Sequence, residues 1–202
     1  MVWHPEKPVI KNPVAIRSPF PVPRSPAFTS PEWAWNHAPR MEKVRMSADR
    51  LELDAFKPLR NGDFFTVGNV YSKRSWRNET SEFSVVLDTS LMAEGQRAGI
   101  CHFGDTTSEF GVKMENGKKT LYRKDSGAKE VDLGELSELK VRLGTSWGFD
   151  GIATYSSTPH PSSPIPHPAT PYKLTWEKYR GDRTGVFTYN TRTESGTAVF
   201  CP

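Results

Sequence analysis

Apolar residues recur at every second position along much of the sequence, and no stretch of ten or more residues carries a 3.6-residue period. Leu51, Leu53 and Ala55 alternate with Glu52 and Asp54; Phe83, Val85 and Leu87 alternate with Ser84, Val86 and Asp88; Leu139, Val141 and Leu143 alternate with Lys140 and Arg142. Successive side chains of a strand point to opposite faces, so each run reads as a strand with one buried face. Between EFGVKM and KTLYRK, Asn116-Gly117 supplies the two positive-φ positions of a type I′ hairpin. Counting back from that turn sets Met114 opposite Lys119 and Val112 opposite Leu121. Further strands are expected at residues 64–73, 97–103, 148–155, 172–179 and 185–190. Roughly ten short strands and almost no helix predict an all-β fold, a two-sheet antiparallel β-sandwich, with a closed barrel as the alternative.

Proline marks where the pattern stops, because it cannot donate to a sheet ladder. Eight of the seventeen prolines fall within residues 1–31, so residues 1–29 are expected to be a proline-rich arm or linker and residues 30–202 the sandwich. A second proline-rich stretch, Thr158 to Pro171, reads as a stiff surface loop between two strands.

Length and a hydrophobic share of 36% suffice for one core. The 27 Lys+Arg and 23 Asp+Glu are interleaved, so the net charge of +4 implies a solvated mixed surface, and no nucleic-acid partner is expected. No apolar run reaches the roughly eighteen residues of a membrane span, and no membrane partner is expected. The segment MVWHPEKPVI lacks the apolar run of a secretory leader, which points to a cytosolic chain or to an N-terminus lying further upstream; localisation stays open. Cys101 and Cys201 sit in the strand-like runs GICHF and AVFCP and are read as buried thiols rather than a bridge.

Four stretches, in order, carry a resemblance to a known family. They are SPEWAWNHAP (30–39), DRLELDAF (49–56), NVYSKRSW with EFSVVLDTSLMAEGQRAGICHFG (69–104), and YRGDRTGVFTYN (179–190). Together they resemble the C-terminal concanavalin A-like jelly roll of family 43 glycoside hydrolases, the β-xylosidase and α-L-arabinofuranosidase type. The similarity spans roughly residues 30–200. Two departures stand out: the chain ends at GTAVFCP where the family closes with an acidic and aromatic strand, so a truncated or altered final strand is expected, and the 158–171 loop replaces a tighter connection. The resemblance implies a separate catalytic propeller with three carboxylates, for which these 202 residues leave no room. It further implies that the sandwich buttresses that propeller and lends an aromatic to the edge of its active site; Phe187 is the nearest candidate, although its strand alternation suits a packed position equally.

Glycoside hydrolysis needs two carboxyl groups facing each other across the scissile bond. Here the acids mostly alternate with apolar residues, which assigns them to solvent faces, and EVDLGELSE (130–138) is broken by Gly134. No catalytic residue is assigned. His4, His37, His102, His160 and His167 show no metal-ligand spacing, so no cofactor and no metal are expected, with calcium on loop oxygens left open. His102 in a core-like strand reads as a hydrogen-bonded structural histidine. Arg180-Gly181-Asp182 falls within the family motif and is read structurally.

Flat rings on a sandwich can stack on sugar faces while polar neighbours bond the hydroxyls. The carbohydrate-binding candidates are Trp33, Trp35, Asn36, His37, Arg74, Trp76 and Trp147. Trp33 and Trp35 share a parity and are expected in the core; Trp76 and Trp147 lie beside turn signals and are expected at the surface. Asn78 heads the only N-x-S/T sequon and becomes a glycosylation site if the chain is secreted. The expected function is a non-catalytic accessory or carbohydrate-binding domain of a family 43 glycosidase, with a xylan-type polysaccharide or the catalytic domain as partner. A catalytic sandwich and a protein-interaction module are the rival readings.

Overall fold

Among the described residues the period of two is realised as fifteen strands, and their pairings are all antiparallel. In chain order they are β1 (Ala34–Trp35), β2 (Val44–Met46), β3 (Leu51–Asp54), β4 (Asn69–Arg74), β5 (Ser81–Asp88), β6 (Gln96–Phe103), β7 (Thr107–Glu115), β8 (Lys118–Asp125), β9 (Val131–Glu135), β10 (Lys140–Trp147), β11 (Ile152–Pro159), β12 (Ile165–Pro166), β13 (Tyr172–Lys173), β14 (Arg183–Asn190) and β15 (Thr197–Cys201). The computed structural model describes residues 27–159, 165–166, 171–175 and 181–202. Outside the described residues lie the arm up to residue 26 with His4, most of the proline-rich loop with His160 and His167, and residues 176–180 with Arg180.

A seven-stranded sheet runs β1-β4-β14-β6-β7-β8-β9, and an eight-stranded sheet runs β12-β11-β10-β5-β15-β3-β2 with β13 attached to β11. Between them lies one core, to which Leu51, Leu53, Val85, Leu87, Leu143 and Phe200 contribute from one side and Ala98, Ile100, Phe110, Val112 and Val186 from the other. The expected alternations at Leu51–Ala55 and Phe83–Asp88 hold residue by residue. So does the hairpin: Met114 pairs with Lys119 and Val112 with Leu121, and Asn116 and Gly117 both have positive φ, 54° and 73°.

Several expected strands differ in extent. Residues 64–66 form a 3-10 turn capped by the Asp63 carboxylate, which accepts from the Phe65 N–H at 3.1 Å, and β4 starts only at Asn69. Residues 148–151 turn, with Gly151 at φ 69°, before β11 begins. Leu139 precedes β10 and is exposed, so it does not share the burial of Val141 and Leu143. Residues 131–135, read as broken by Gly134, pair with β8 across a register shift at Leu121/Tyr122. The chain's last strand, β15, is central, lying between β3 and β5. Both cysteines are free thiols in different sheets; Cys101 is buried and Cys201 is half-buried.

Candidate functional site

The candidate rings separate into three environments. Trp33 is buried, lies nearly parallel to Tyr71 with centroids 5.1 Å apart, and meets Phe28 and Phe83. Trp35 is only half-buried and packs on Tyr71 at 4.4 Å. These two rings therefore anchor the entry segment to β4, as core packing requires. Asn36 is buried and its N–H donates to the Val70 carbonyl at 3.0 Å, while His37 Nε2 donates to the Phe65 carbonyl at 2.6 Å. That bond ties the entry segment to the 3-10 turn.

Trp147, expected at the surface, is buried. It ends β10 with the parity of Val141, Leu143 and Thr145, so its ring faces the core, where it meets the edge of His102 at 5.4 Å. Its Nε1–H donates to the Trp76 carbonyl at 2.9 Å. His102 is fully buried, bonds Thr145 Oγ1 at 2.8 Å, and has its pKa pushed down to about 3 by burial and the nearby Arg123.

Trp76 remains exposed, 61% of its surface being accessible, and the Arg74 guanidinium lies 4.5 Å from its ring centre. Pairing of β5 with β10 brings the 75–80 loop beside the 148–151 turn, which carries the exposed Phe149. Arg77 braces this end through an ion pair to the buried Asp182 and a 3.3 Å bond to the Leu174 carbonyl. Asn78 is exposed in the same loop. Of the seven proposed sugar contacts, this end assembles Arg74 and Trp76; the other five serve packing or loop anchoring.

Sequence reasoning missed the outer face of the seven-stranded sheet. Across β14, β6, β7 and β8 one row reads Phe187, Gly99, Gly111, Tyr122, and the next reads Gly185, Cys101, Glu109, Lys124. A Cβ at Gly99 would sit 2.3 Å from the Phe110 carbonyl oxygen, so that position takes no side chain. Phe64 closes over Phe187 edge to face at 5.1 Å, and with Val67, Val70, Cys101, Tyr122 and Tyr189 these residues form a second apolar cluster. Phe187, the active-site-edge candidate, is fully buried within it.

Set in that cluster is Glu109, 2% exposed, whose Oε2 accepts 2.8 Å hydrogen bonds from both Tyr122 and Tyr189 hydroxyls. Burial raises its pKa, opposed by Lys124, whose Nζ lies 3.9 Å from Oε1. A cavity of about 380 Å³ opens above Glu109, walled by Gly62–Phe65 on one side and Lys124–Ala128 on the other. The signal for this layer was present in GICHF and GVFTYN, whose apolar residues occupy both parities. Among the described residues, no three His, Cys, Asp or Glu side chains are grouped to hold a metal.

The family model described as the β-xylosidase C-terminal concanavalin A-like domain matches residues 25–201. The chain belongs to this family. Solved structures share the fold of the family 43 C-terminal domain. One is the bifunctional GH43-CE protein of Bacteroides eggerthii, with TM-score 0.75 and 23% identity, covering 85% of this chain and 23% of that one. Another is a GH43 glycoside hydrolase engineered to display both endo-xylanase and exo-arabinofuranosidase activity, with TM-score 0.72 and 19% identity, covering 84% of this chain and 37% of that one. This chain thus spans well under half the length of both. A functionally unknown protein from Saccharomyces cerevisiae has the same fold over nearly its whole length, with TM-score 0.62, 13% identity, and coverage of 84% of this chain and 92% of that one. No curated protein sequence matches the chain significantly.

Proposed function

We propose that the chain works as a non-catalytic accessory domain of a family 43 glycosidase acting on xylan or arabinoxylan, with a catalytic domain as its structural partner. The observation that carries this reading is the family match over residues 25–201, a domain described by its position at the C-terminus of β-xylosidases. The disposition of carboxylates supports it. Glu52 and Asp54 are held by Arg45 and Arg50, Asp125 is taken up by Arg123 and Ser108, and Glu109 Oε2 is bonded to two phenols. Carboxylates engaged in this way are poorly placed to act as a facing acid and base pair across a glycosidic bond. The Trp76 ring, braced by Arg74, supplies an exposed flat surface of the type that stacks on a sugar.

Two assays test the reading. The purified chain should release no product from aryl β-xylosides or aryl α-L-arabinofuranosides, and it should be retarded in affinity gels containing xylan. Trp76→Ala should weaken the retardation by the roughly 0.5–1.5 kcal/mol of one stacked ring and leave the thermal midpoint unchanged. Turnover that disappears in Glu109→Gln would instead make the sandwich itself catalytic and overturn the accessory role.

A further inference from the structure

The Glu109 cavity has a use that the accessory role does not itself require. Its floor is a carboxylate whose two oxygens are unequally engaged. Oε2 takes both phenol hydroxyls, whereas among the described residues Oε1 meets only the Lys124 ammonium at 3.9 Å, beyond hydrogen-bonding distance. The side chain is almost wholly buried, and it lines the cavity. Lys124 crosses to the opposite wall and donates to the Gly62 carbonyl at 3.3 Å. Phe65 is 40% exposed on that wall and is held edge-on to Phe103 at 5.1 Å, with its backbone fixed by Asp63 and His37. On the far side the Asp125 carboxylate is taken up by Arg123 and Ser108, and Thr107 Oγ1 bonds Ser126 Oγ at 2.9 Å.

The chemistry of these walls selects among ligand classes. An anion would face Glu109, Asp63 and Asp125, with one ammonium that is already shared. A cation would find Asp125 committed to Arg123 and Glu109 beside Lys124. A purely apolar molecule would strip water from a carboxylate and an ammonium without replacing its hydrogen bonds. A neutral ring rich in hydroxyls fits each element: one hydroxyl donates to Oε1, another accepts from Nζ, and the C–H face lies on Phe65. The volume of about 380 Å³ stands at the small end of the roughly 300–1,000 Å³ usual for small-molecule clefts, which suits a single sugar unit rather than a length of chain.

We infer that the cavity between Gly62–Phe65 and Lys124–Ala128, floored by Glu109, is a binding site for one neutral sugar ring. The inference rests on the carbohydrate-associated reading above for its choice of sugar, but it places the contact on the outer face of the seven-stranded sheet and not at the Trp76 end. Binding involves no covalent step. The ring enters with its hydroxyls toward Glu109 and Lys124 and exchanges water hydrogen bonds for fixed ones.

The test is a titration of the full ¹⁵N-labelled chain with D-xylose and, separately, with xylobiose, read by amide chemical shifts. The expected result is a set of saturable shifts confined to residues 62–65 and 124–128. Lys124→Met and Phe65→Ala should each weaken binding by about tenfold with an otherwise native spectrum, and Lys124→Arg should recover part of the loss. Trp76→Ala should leave the cavity shifts intact. Absence of shifts at these amides with both sugars overturns the inference. If shifts arise only around Trp76 and Phe149, the cavity site falls while the accessory reading stands; if turnover is found, that reading falls and the cavity shifts still decide the site.

Discussion

The two sheets bury opposite amounts of their outer faces. On the eight-stranded sheet, β3 and β5 present Glu52, Asp54, Ser84 and Asp88 to solvent, and Arg45, Arg50 and Lys140 pair with those acids. On the seven-stranded sheet the equivalent face carries Val70, Cys101, Tyr122, Phe187 and Tyr189, roofed by Phe64 and Val67. One sheet therefore has a core face and a wet face; the other sits between two apolar layers. The difference shows why Glu109, on a strand position that alternation assigns to solvent, ends almost fully buried. Whether a strand's second face is wet depends on what packs over it, and here the cover comes from the segment before β4.

The largest expected effect comes from removing the centre of the second layer. Phe187 is fully buried against Phe64 and Tyr189, so Phe187→Ala should cost about 3–5 kcal/mol in urea unfolding, comparable with truncating a residue of the central core. A loss well under that range would mean that the roof closes over the gap and that the outer face is not a true core.

A second contrast lies in the response to pH. Burial raises the pKa of Glu109 above its ordinary 4.5, so the folded chain holds that proton more tightly than the unfolded one. Its contribution to stability is present below 4.5 and is lost as pH rises through the raised folded value. Hydrogen bonds from arginine lower Glu52 and Asp54, whose contributions are present above their ordinary values and are lost as pH falls. His102, neutral in the fold with a pKa near 3 against an ordinary 6.5, adds stability that disappears as pH falls between those limits. Urea midpoints measured for Glu109→Gln across acidic to neutral pH should lose the component that declines on raising the pH. Those for Glu52→Gln should converge on the wild type as the solution is acidified. Difference curves running parallel to the pH axis would contradict the opposite signs assigned to the two faces.

Much of this architecture can be read from the residues alone, for reasons that also mark where reading stops. β3 and β5 obey strict alternation because their outer faces are wet, and the Asn116-Gly117 hairpin follows from local backbone geometry. Trp147 is buried and not exposed because it keeps the parity of Val141, Leu143 and Thr145 up to the end of β10, and the Gly148 turn begins only after it. The candidate cavity was not visible: Gly62–Phe65, Glu109 and Lys124 are remote in sequence, and only the β7–β8 register and the fold-over of the 3-10 turn bring them together. The hydrogen bond from His37 to the Phe65 carbonyl joins residues 28 positions apart, a contact that no local pattern encodes.

The smallest expected effect belongs to the wet face. Arg45 makes its shortest contacts to Asp54 and Glu52, both at 2.7 Å, and about half of its side chain is exposed. Burning away this hub leaves neither acid alone, because Glu52 keeps Arg50 at 2.7 Å and Asp54 keeps the Thr197 hydroxyl at 2.7 Å. An exposed pair gains little in a high dielectric, so Arg45→Met should cost no more than about 1 kcal/mol. Salt of around 1 M, with a Debye length of about 3 Å, should erase most of that difference. Arg97 provides the matched case on the other face: its side chain is 13% exposed, it pairs with Glu115 and Glu130, and it lies 5.0 Å from the Tyr122 ring centre. Arg97→Met strips a partner from acids that sit closer to the buried layer, so its cost should be larger and less sensitive to salt. Equal, salt-erased costs for the two arginines would show that the outer face of the seven-stranded sheet is as well solvated as its counterpart, against the burial of Glu109 and Tyr122.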